Sequence, residues 1–391
     1  MDKLVYLERT GRFYGSSKNL LDFSLFFQER GAQVNVFLAD QGDLFQRLRD
    51  HQIPVEVLQL PPLINQYNGV IARASIFKKM KMGLAWLKWN LCLGMGKIEL
   101  RRGIFLVNNT RTFIFFLPTI FLKKLGHGCK VVWRIQTNQP IHPLVKSLLY
   151  AISDMVVVHG GNSVVKELFP TGGLKRWFFR GKKIRISRNS IHVDAYRQAF
   201  ERLQLDPDPH FFKICMISLI EKNKGVLDAL KVLKFLLDKR VNAILVHCGG
   251  ENSPNDPHTQ EVNDYIRKHR LGRRVKLMGY VNNVGEVIGS SDLNILPSRI
   301  ETQPYVITEA SCLSVPSMAY DVGSINEQIL DGESGYLLTP GDLESMKQRA
   351  LFLARNPDVR KKMGARAYDH VKAHFDFRTN SQDILSQLNA L

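Results

Sequence analysis

The feature that most constrains this chain is an alternation, run through twice, of short apolar segments and longer amphipathic ones. Apolar runs of strand length separated by helix-length stretches predict parallel sheets crossed by helices, the pattern of an α/β protein. In the first half the predicted strands are Lys3–Glu8, 33–39, Ile104–Asn108, Lys130–Ile135, Met155–His159 and 183–187, with a helix over 17–30 that Gly31 stops. The second half restarts with a strand over 212–218, a helix over 225–238 and the strand Ala243–Cys248. Strands over 274–278 and Leu293–Leu296 follow, then a last one after Asp331-Gly332, and three helical segments from Leu343 onward. Between the halves lies the polar stretch 194–210, ending in Asp206-Pro207-Asp208-Pro209. It is expected to be a linker, dividing a first domain (1–193) from a second (211–375) and a closing helix (376–391). A chain of 391 residues is long enough for two separate cores. Two doubly wound domains of this kind are expected to face a central cleft, with ligands at the carboxyl ends of their strands.

Charge divides the chain as sharply as pattern does. The net +18 belongs to residues 1–200, with thirty Lys and Arg against twelve Asp and Glu; residues 201–391 carry twenty-four of each. A field of that sign attracts polyanions: nucleic acid, an anionic membrane surface or a phosphorylated substrate. The five cysteines include no C-x-x-C pair, so neither a zinc nor a disulfide framework is indicated. No apolar run has the length of a membrane span, and 113–122 is broken by Pro118. The first residues read as a strand rather than a signal peptide. A cytoplasmic location follows as the expectation.

Three segments of the second half are candidates for chemistry. The strand over 212–218 runs into Lys222-Asn223-Lys224-Gly225 and an amphipathic helix, so Lys224 stands beside a helix N-terminus where charge and free amides meet a diphosphate. After Leu293–Leu296 come Glu301, Thr302, Gln303, Pro304 and Tyr305, with Pro304 expected in the first turn of a helix that carries Glu309. Carboxylates on that loop and that helix can accept hydroxyl hydrogens from a sugar or a ribose. Further on, Gly323 precedes Ser324 and Glu327, whose spacing is that of a capping box, at a helix start open to phosphate.

This order of features resembles the donor half of glycosyltransferase family four, the retaining GT-B enzymes called group 1 glycosyltransferases. The E-x7-E motif is Glu301–Glu309, in the variant with proline after the first glutamate's neighbours; the lysine-glycine helix start precedes it, and the glycine-bearing segment to Leu338 follows. The first half resembles the acceptor domain more loosely, through Gly15, Asn108-Asn109-Thr110 and Asn189. The resemblance implies that Glu309 binds the ribose, Glu301 the transferred sugar and Lys224 the diphosphate, with amides near Gly323 and Gly15 facing phosphate. It implies no metal and no cofactor beyond the nucleotide sugar itself, because lysine and helix amides stabilise the leaving diphosphate. Where the family usually has an arginine five residues before the lysine stands Leu219, and Lys222 is the candidate replacement. Ser190 follows Asn189 in place of glycine, and Arg134 and Gln136, with Asn109, occupy the acceptor side where a histidine is common.

The basic first half suggests a surface. Ile76, Met80, Leu84, Leu87, Leu91, Met95 and Ile98 recur at helical spacing, among Lys78, Lys79, Lys81, Lys88, Trp86 and Trp89, although Gly83, Gly94 and Gly96 weaken a helix there. A second aromatic and basic run spans 175–183. Such helices suit a lipid interface, equally a domain core with solvated lysines. The expectation is a transferase resting on the inner leaflet of the plasma membrane, with a glycan or lipid-linked acceptor of envelope polysaccharide or lipopolysaccharide synthesis. A donor-binding relative without transfer and a nucleic-acid-binding protein are the alternatives.

Overall fold

The computed structural model describes residues 3–9, 11, 15–61, 75–98, 103–136, 141–169, 184–201, 211–251 and 256–391. The basic run over 175–183, the residues Arg12 to Tyr14 that precede Gly15 and the Asp206 to Pro209 segment lie outside them.

The chain forms two compact units, Met1–His159 with Leu168–Ser187 and Asp383–Leu391, and Gly160–Glu167 with Arg188–Gln382. In the first, β1 (Lys3–Glu8), β2 (Gln33–Leu38), β3 (Val55–Val57), β4 (Ile104–Asn108), β5 (Lys130–Ile135), β6 (Met155–His159) and β7 (Ile184–Ser187) make a parallel sheet in the order β3-β2-β1-β4-β5-β6-β7. Its helices are α1 (Gly15–Gln28), α2 (Asp43–Asp50), α3 (Ile76–Cys92), α4 (Thr110–Phe115), α5 (Leu117–His127) and α6 (Pro143–Ile152); α7 (Asn162–Leu168) follows β6. Continuous burial of β1, β4, β5 and β6 explains why they read as unbroken apolar runs: such strands are covered on both faces.

The second unit takes in most of α7, resumes with α8 (Val193–Glu201) and holds a six-stranded sheet ordered β10-β9-β8-β11-β12-β13. These strands are β8 (Phe212–Ile217), β9 (Ala243–Cys248), β10 (Val275–Leu277), β11 (Leu293–Leu296), β12 (Ser317–Tyr320) and β13 (Gly335–Leu338). Around them lie α9 (Val226–Asp238), α10 (Pro257–Lys268), α11 (Val284–Gly289), α12 (Tyr305–Cys312), α13 (Ile325–Gln328), α14 (Leu343–Arg355), α15 (Pro357–His374) and α16 (Phe377–Asn389). Ile214, Met216, Leu230, Leu233, Leu245 and Met318 meet in its core.

Both sheets reverse their strand order beside the first strand, at β1/β4 and at β8/β11, and loops leaving those carboxyl ends are where doubly wound folds place ligands. The fold is thus the pair of Rossmann-like parallel sheets of the GT-B class. Of the expected linker 194–210, residues 202–210 lie outside the described residues and 194–201 belong to the helix α8. Val193 and Phe200 are buried and Tyr196 is half-buried, an apolar side that the polar composition hid. The units divide at Ser187 and Arg188, earlier than the expected boundary at 193, and the last residues of α16 return to the first unit. Pro304 is the residue before α12 rather than in its first turn, because its ψ of 131° is extended and the helix begins at Tyr305.

Candidate functional site

The second unit's switch point is built by two loops locked to one another. After β8 the chain makes a single tight turn, Lys222–Lys224, closed by Gly225 at φ +75°. A side chain on Gly225 would strike the carbonyl of Pro297, so only glycine lets the loops after β8 and β11 approach this closely. The Arg299 amide donates to the Asn223 carbonyl at 2.7 Å and completes the junction. Beneath it, Asp228 of α9 accepts from Arg299 (2.9 Å) and from the Tyr320 hydroxyl (3.2 Å). The lysine that sequence singled out and the first glutamate of the pair are brought together: Lys224 Nζ donates to Glu301 Oε1 at 2.8 Å, both side chains mostly buried. Lys222 stands exposed on the same turn.

Glu309 lies on α12, whose residues from Val306 to Cys312 are all buried. Its carboxylate is felt by the Tyr196 phenol, which burial first and Glu309 second hold well above the ordinary range. Gln303 and Thr302 have structural partners: Gln303 takes the Asn189 amide on its side-chain oxygen at 2.6 Å and the Asn189 carboxamide on its carbonyl at 2.7 Å. Thr302 accepts from the Ser324 amide at 2.8 Å, and Gln328 donates to the Pro304 carbonyl at 2.9 Å. Tyr305 packs against the cluster of Ile191, Cys312 and Phe375.

The segment at Gly323 differs from the sequence expectation. Gly323 (φ +60°) is required by the backbone of Glu301 and Thr302, which a Cβ would overlap. Ser324 and Glu327 do not cap their own helix. α13 is a single turn, and Ser324 makes no side-chain cap there. Instead Ser324 Oγ accepts from the Gly161 amide (2.7 Å) and Glu327 Oε1 from the Asn162 amide (2.6 Å), closing the start of α7. A carboxylate at free helix amides is favourable, and Arg188 sits 3.6 Å from its other oxygen.

The first unit's switch point gathers a carboxylate that sequence reasoning missed. Glu8 ends β1 and is 1% exposed. It accepts from the Asn108 carboxamide at 2.7 Å, from Asn109 at 3.5 Å and from the Thr112 hydroxyl at 3.4 Å. Gln136 donates to Asn108 at 2.9 Å. Asn109 holds φ +67°, an unfavourable backbone stabilised by its side chain capping Thr112 at 2.9 Å. Arg134 is buried below, bonded to Asn19 and to His159 Nε2 (3.0 and 3.2 Å) and stacked near Phe23. An always-charged guanidinium donating to Nε2 requires a lone pair there, so His159 is neutral with its proton on Nδ1. Gly15 is the first residue of α1. The signal that could have exposed Glu8 is its place at a strand's carboxyl end beside the order reversal.

Comparison with known proteins defines the class. Residues 198–370 match the profile described as glycosyl transferases group 1. This part of the chain, a little under half of its length, is similar to that family. The chain is similar to N-acetyl-alpha-D-glucosaminyl L-malate synthase of Bacillus anthracis, 29% identical over 175 residues, covering 45% of this chain and 43% of that one. It is likewise similar to trehalose synthase of Pyrococcus horikoshii, 29% identical over 200 residues, 49% of this chain and 46% of that. The chain thus spans about half the length of the curated relatives it matches. Among solved structures, Alr3699/HepE of Anabaena, in complex with UDP and glucose, superposes with a TM-score of 0.75 at 17% identity over the whole of both chains. A glycosyltransferase of Rickettsia africae gives 0.75 at 16%, over all of this chain and 98% of that one. Likeness at such identity speaks for the fold.

Proposed function

We propose that this chain is a retaining, metal-independent glycosyltransferase that moves a sugar from a nucleotide-diphosphate sugar to a glycan or lipid-linked acceptor in envelope polysaccharide or lipopolysaccharide synthesis. The observation that carries the reading is the Lys224–Glu301 pair, 2.8 Å apart on two glycine-tightened loops at the β8/β11 switch point. On this reading Lys224, with Lys222 beside it, meets the diphosphate, so the charge that develops on the leaving group finds a cation already in position. Glu301 orients Lys224 before donor arrives and accepts hydroxyl hydrogens of the transferred sugar afterwards. Glu309 takes the ribose. The loop of Thr302, Gln303, Pro304 and Tyr305 and the Gly323–Ser324 backbone hold that geometry, while Gly15 opens the α1 amides to phosphate. Asn109 and Gln136 form the acceptor side; Glu8 and Arg134 are buried and position Asn109, Glu8 through its carboxylate and Arg134 through its main-chain carbonyl.

The Anabaena structure, which contains UDP and glucose, supports a sugar-nucleotide co-substrate, and a similar Staphylococcus aureus protein named capsular polysaccharide biosynthesis glycosyltransferase supports a role in polysaccharide synthesis. Donor consumption with and without acceptor, measured for the wild type and Glu301→Gln, tests the reading. A large loss in the variant is expected; equal rates in both would remove Glu301 from the chemistry.

A further inference from the structure

The helix expected to lie in a lipid interface is present as α3, continued by a π-helical turn, Leu93–Lys97, but the face it turns outward is not the one its tryptophans mark. Trp86 donates to the Phe115 carbonyl at 2.9 Å, and Trp89 packs edge-on against Phe115. Buried Asn90 donates to the same carbonyl and accepts from Thr119 of α5 at 2.7 Å. Gly94 lets the π turn press on Leu122. These residues fasten α3 to its unit by one side.

The spaced apolar row lies on the other side. Phe77, Met80 and Leu84 are 68, 61 and 66% exposed, and Leu87 and Met95 are exposed too. At about 100° per residue they share one face. The row ends where the π turn rotates Ile98 into the core. α5 packs beside α3 and exposes Phe121 and Leu125. Single exposed apolar side chains are ordinary, but a contiguous row of them on a helix already anchored elsewhere marks a contact surface.

The occupant follows from charge. Lys79, Lys81 and Lys88 are exposed on α3, and residues 57–153 hold fourteen Lys and Arg against a single acid, Glu99. A second copy meeting this row about a two-fold axis would set lysines against lysines. Nucleic acid would match the lysines and leave Phe77, Met80 and Leu84 without a partner. An anionic bilayer satisfies both. We infer that the α3–α5 face is a docking surface for anionic lipid, with Phe77, Met80, Leu84 and Leu87 entering the headgroup–acyl boundary and Lys81 and Lys88, which flank that row, against lipid phosphates. The inference extends the lipid-linked-acceptor half of the proposed function and does not depend on the donor chemistry.

Vesicle flotation tests it on the full chain with no sugar nucleotide present, and donor hydrolysis by the same preparations reports separately on the transferase reading. Wild type floats with vesicles of mixed phosphatidylglycerol and phosphatidylcholine and not with phosphatidylcholine alone. Lys81→Ala with Lys88→Ala weakens partitioning about thirtyfold. Met80→Glu with Leu84→Glu weakens it by more than about tenfold while melting with the wild type. Flotation on neither or on both vesicle types alike overturns the inference. So does wild-type flotation by the Met80/Leu84 variant, or a dimer in place of vesicle binding that this variant disperses. Duplex DNA binding, in place of vesicle binding, that the same variant leaves unchanged counts equally against it.

Discussion

The two units share one frame and use it differently. At the β8/β11 reversal the second unit turns its charges inward on each other: Lys224 on Glu301, and Arg299 and Tyr320 on Asp228, in a region with equal numbers of acids and bases. At the β1/β4 reversal the first unit buries one acid among carboxamides, and away from that point it carries nearly all of the chain's excess of positive charge and an exposed apolar row. The difference teaches that the doubly wound sheet sets only where loops converge. What they meet is set by the balance of charge and exposure around them; the proposals above put a small dianionic donor at the second unit and an extended anionic surface at the first.

The largest effect that sharpens this contrast is on activity. Lys224→Ala and Glu301→Gln are each expected to lower transfer about a hundred- to a thousandfold, the scale of one lost preorganised group. Because the two side chains act through one contact, the double variant should fall little below the worse single one, measured by donor consumption. Full additivity would separate the pair. Next, Gly225→Ala should destabilise the second unit by at least about 3 kcal/mol in denaturant unfolding, since a Cβ there meets both a left-handed backbone and the Pro297 carbonyl.

A pH series reads the second unit's core. His247 is fully buried in β9, and desolvation pushes its pKa from 6.5 down to about 4. The unfolded imidazole takes its proton near 6.5 and the folded one only near 4. Stability therefore holds above 6.5, falls between those values as pH drops, and levels off below, by about 3 kcal/mol in all. His247→Asn should flatten that slope. The smallest effect belongs to the first unit: Leu84→Ser, on the exposed row, should change stability by no more than about 0.5 kcal/mol. A larger loss would mean that the row is covered within the chain.

Much of the fold was legible because strands buried on both faces are continuous apolar runs, as Ile104–Asn108 and Met155–His159 are. The three-residue edge strand Val55–Val57 is too short and too mixed to stand out. The stretch over 194–210 misled because its prolines and acids outweigh Val193, Tyr196 and Phe200, whose helical spacing buries one side of α8. The pairing of Lys224 with Glu301 was foreshadowed by their places after two strands that turn out to be neighbours. Ser324 and Glu327 show the limit. Their spacing fits a local cap, and nothing nearby in sequence announces that the Gly161 and Asn162 amides arrive from more than 160 residues away. Likewise, spacing found Met80, Leu84, Leu87 and Met95 of the α3 row but not Phe77, and it included Ile98, which is buried; Trp86 and Trp89 look interfacial until their indole hydrogens are seen bonded to backbone carbonyls.

The most direct test of the account is thermal unfolding of the wild type, Lys224→Ala and Leu84→Glu with UDP-, GDP-, ADP- and dTDP-sugars in turn. A ligand held by the second unit raises the melting temperature in proportion to its preference for the folded state. The account predicts that at least one of these sugars does so equally for the wild type and Leu84→Glu, and that Lys224→Ala abolishes the rise. An undiminished rise in Lys224→Ala, or no rise with any of the four, would contradict it.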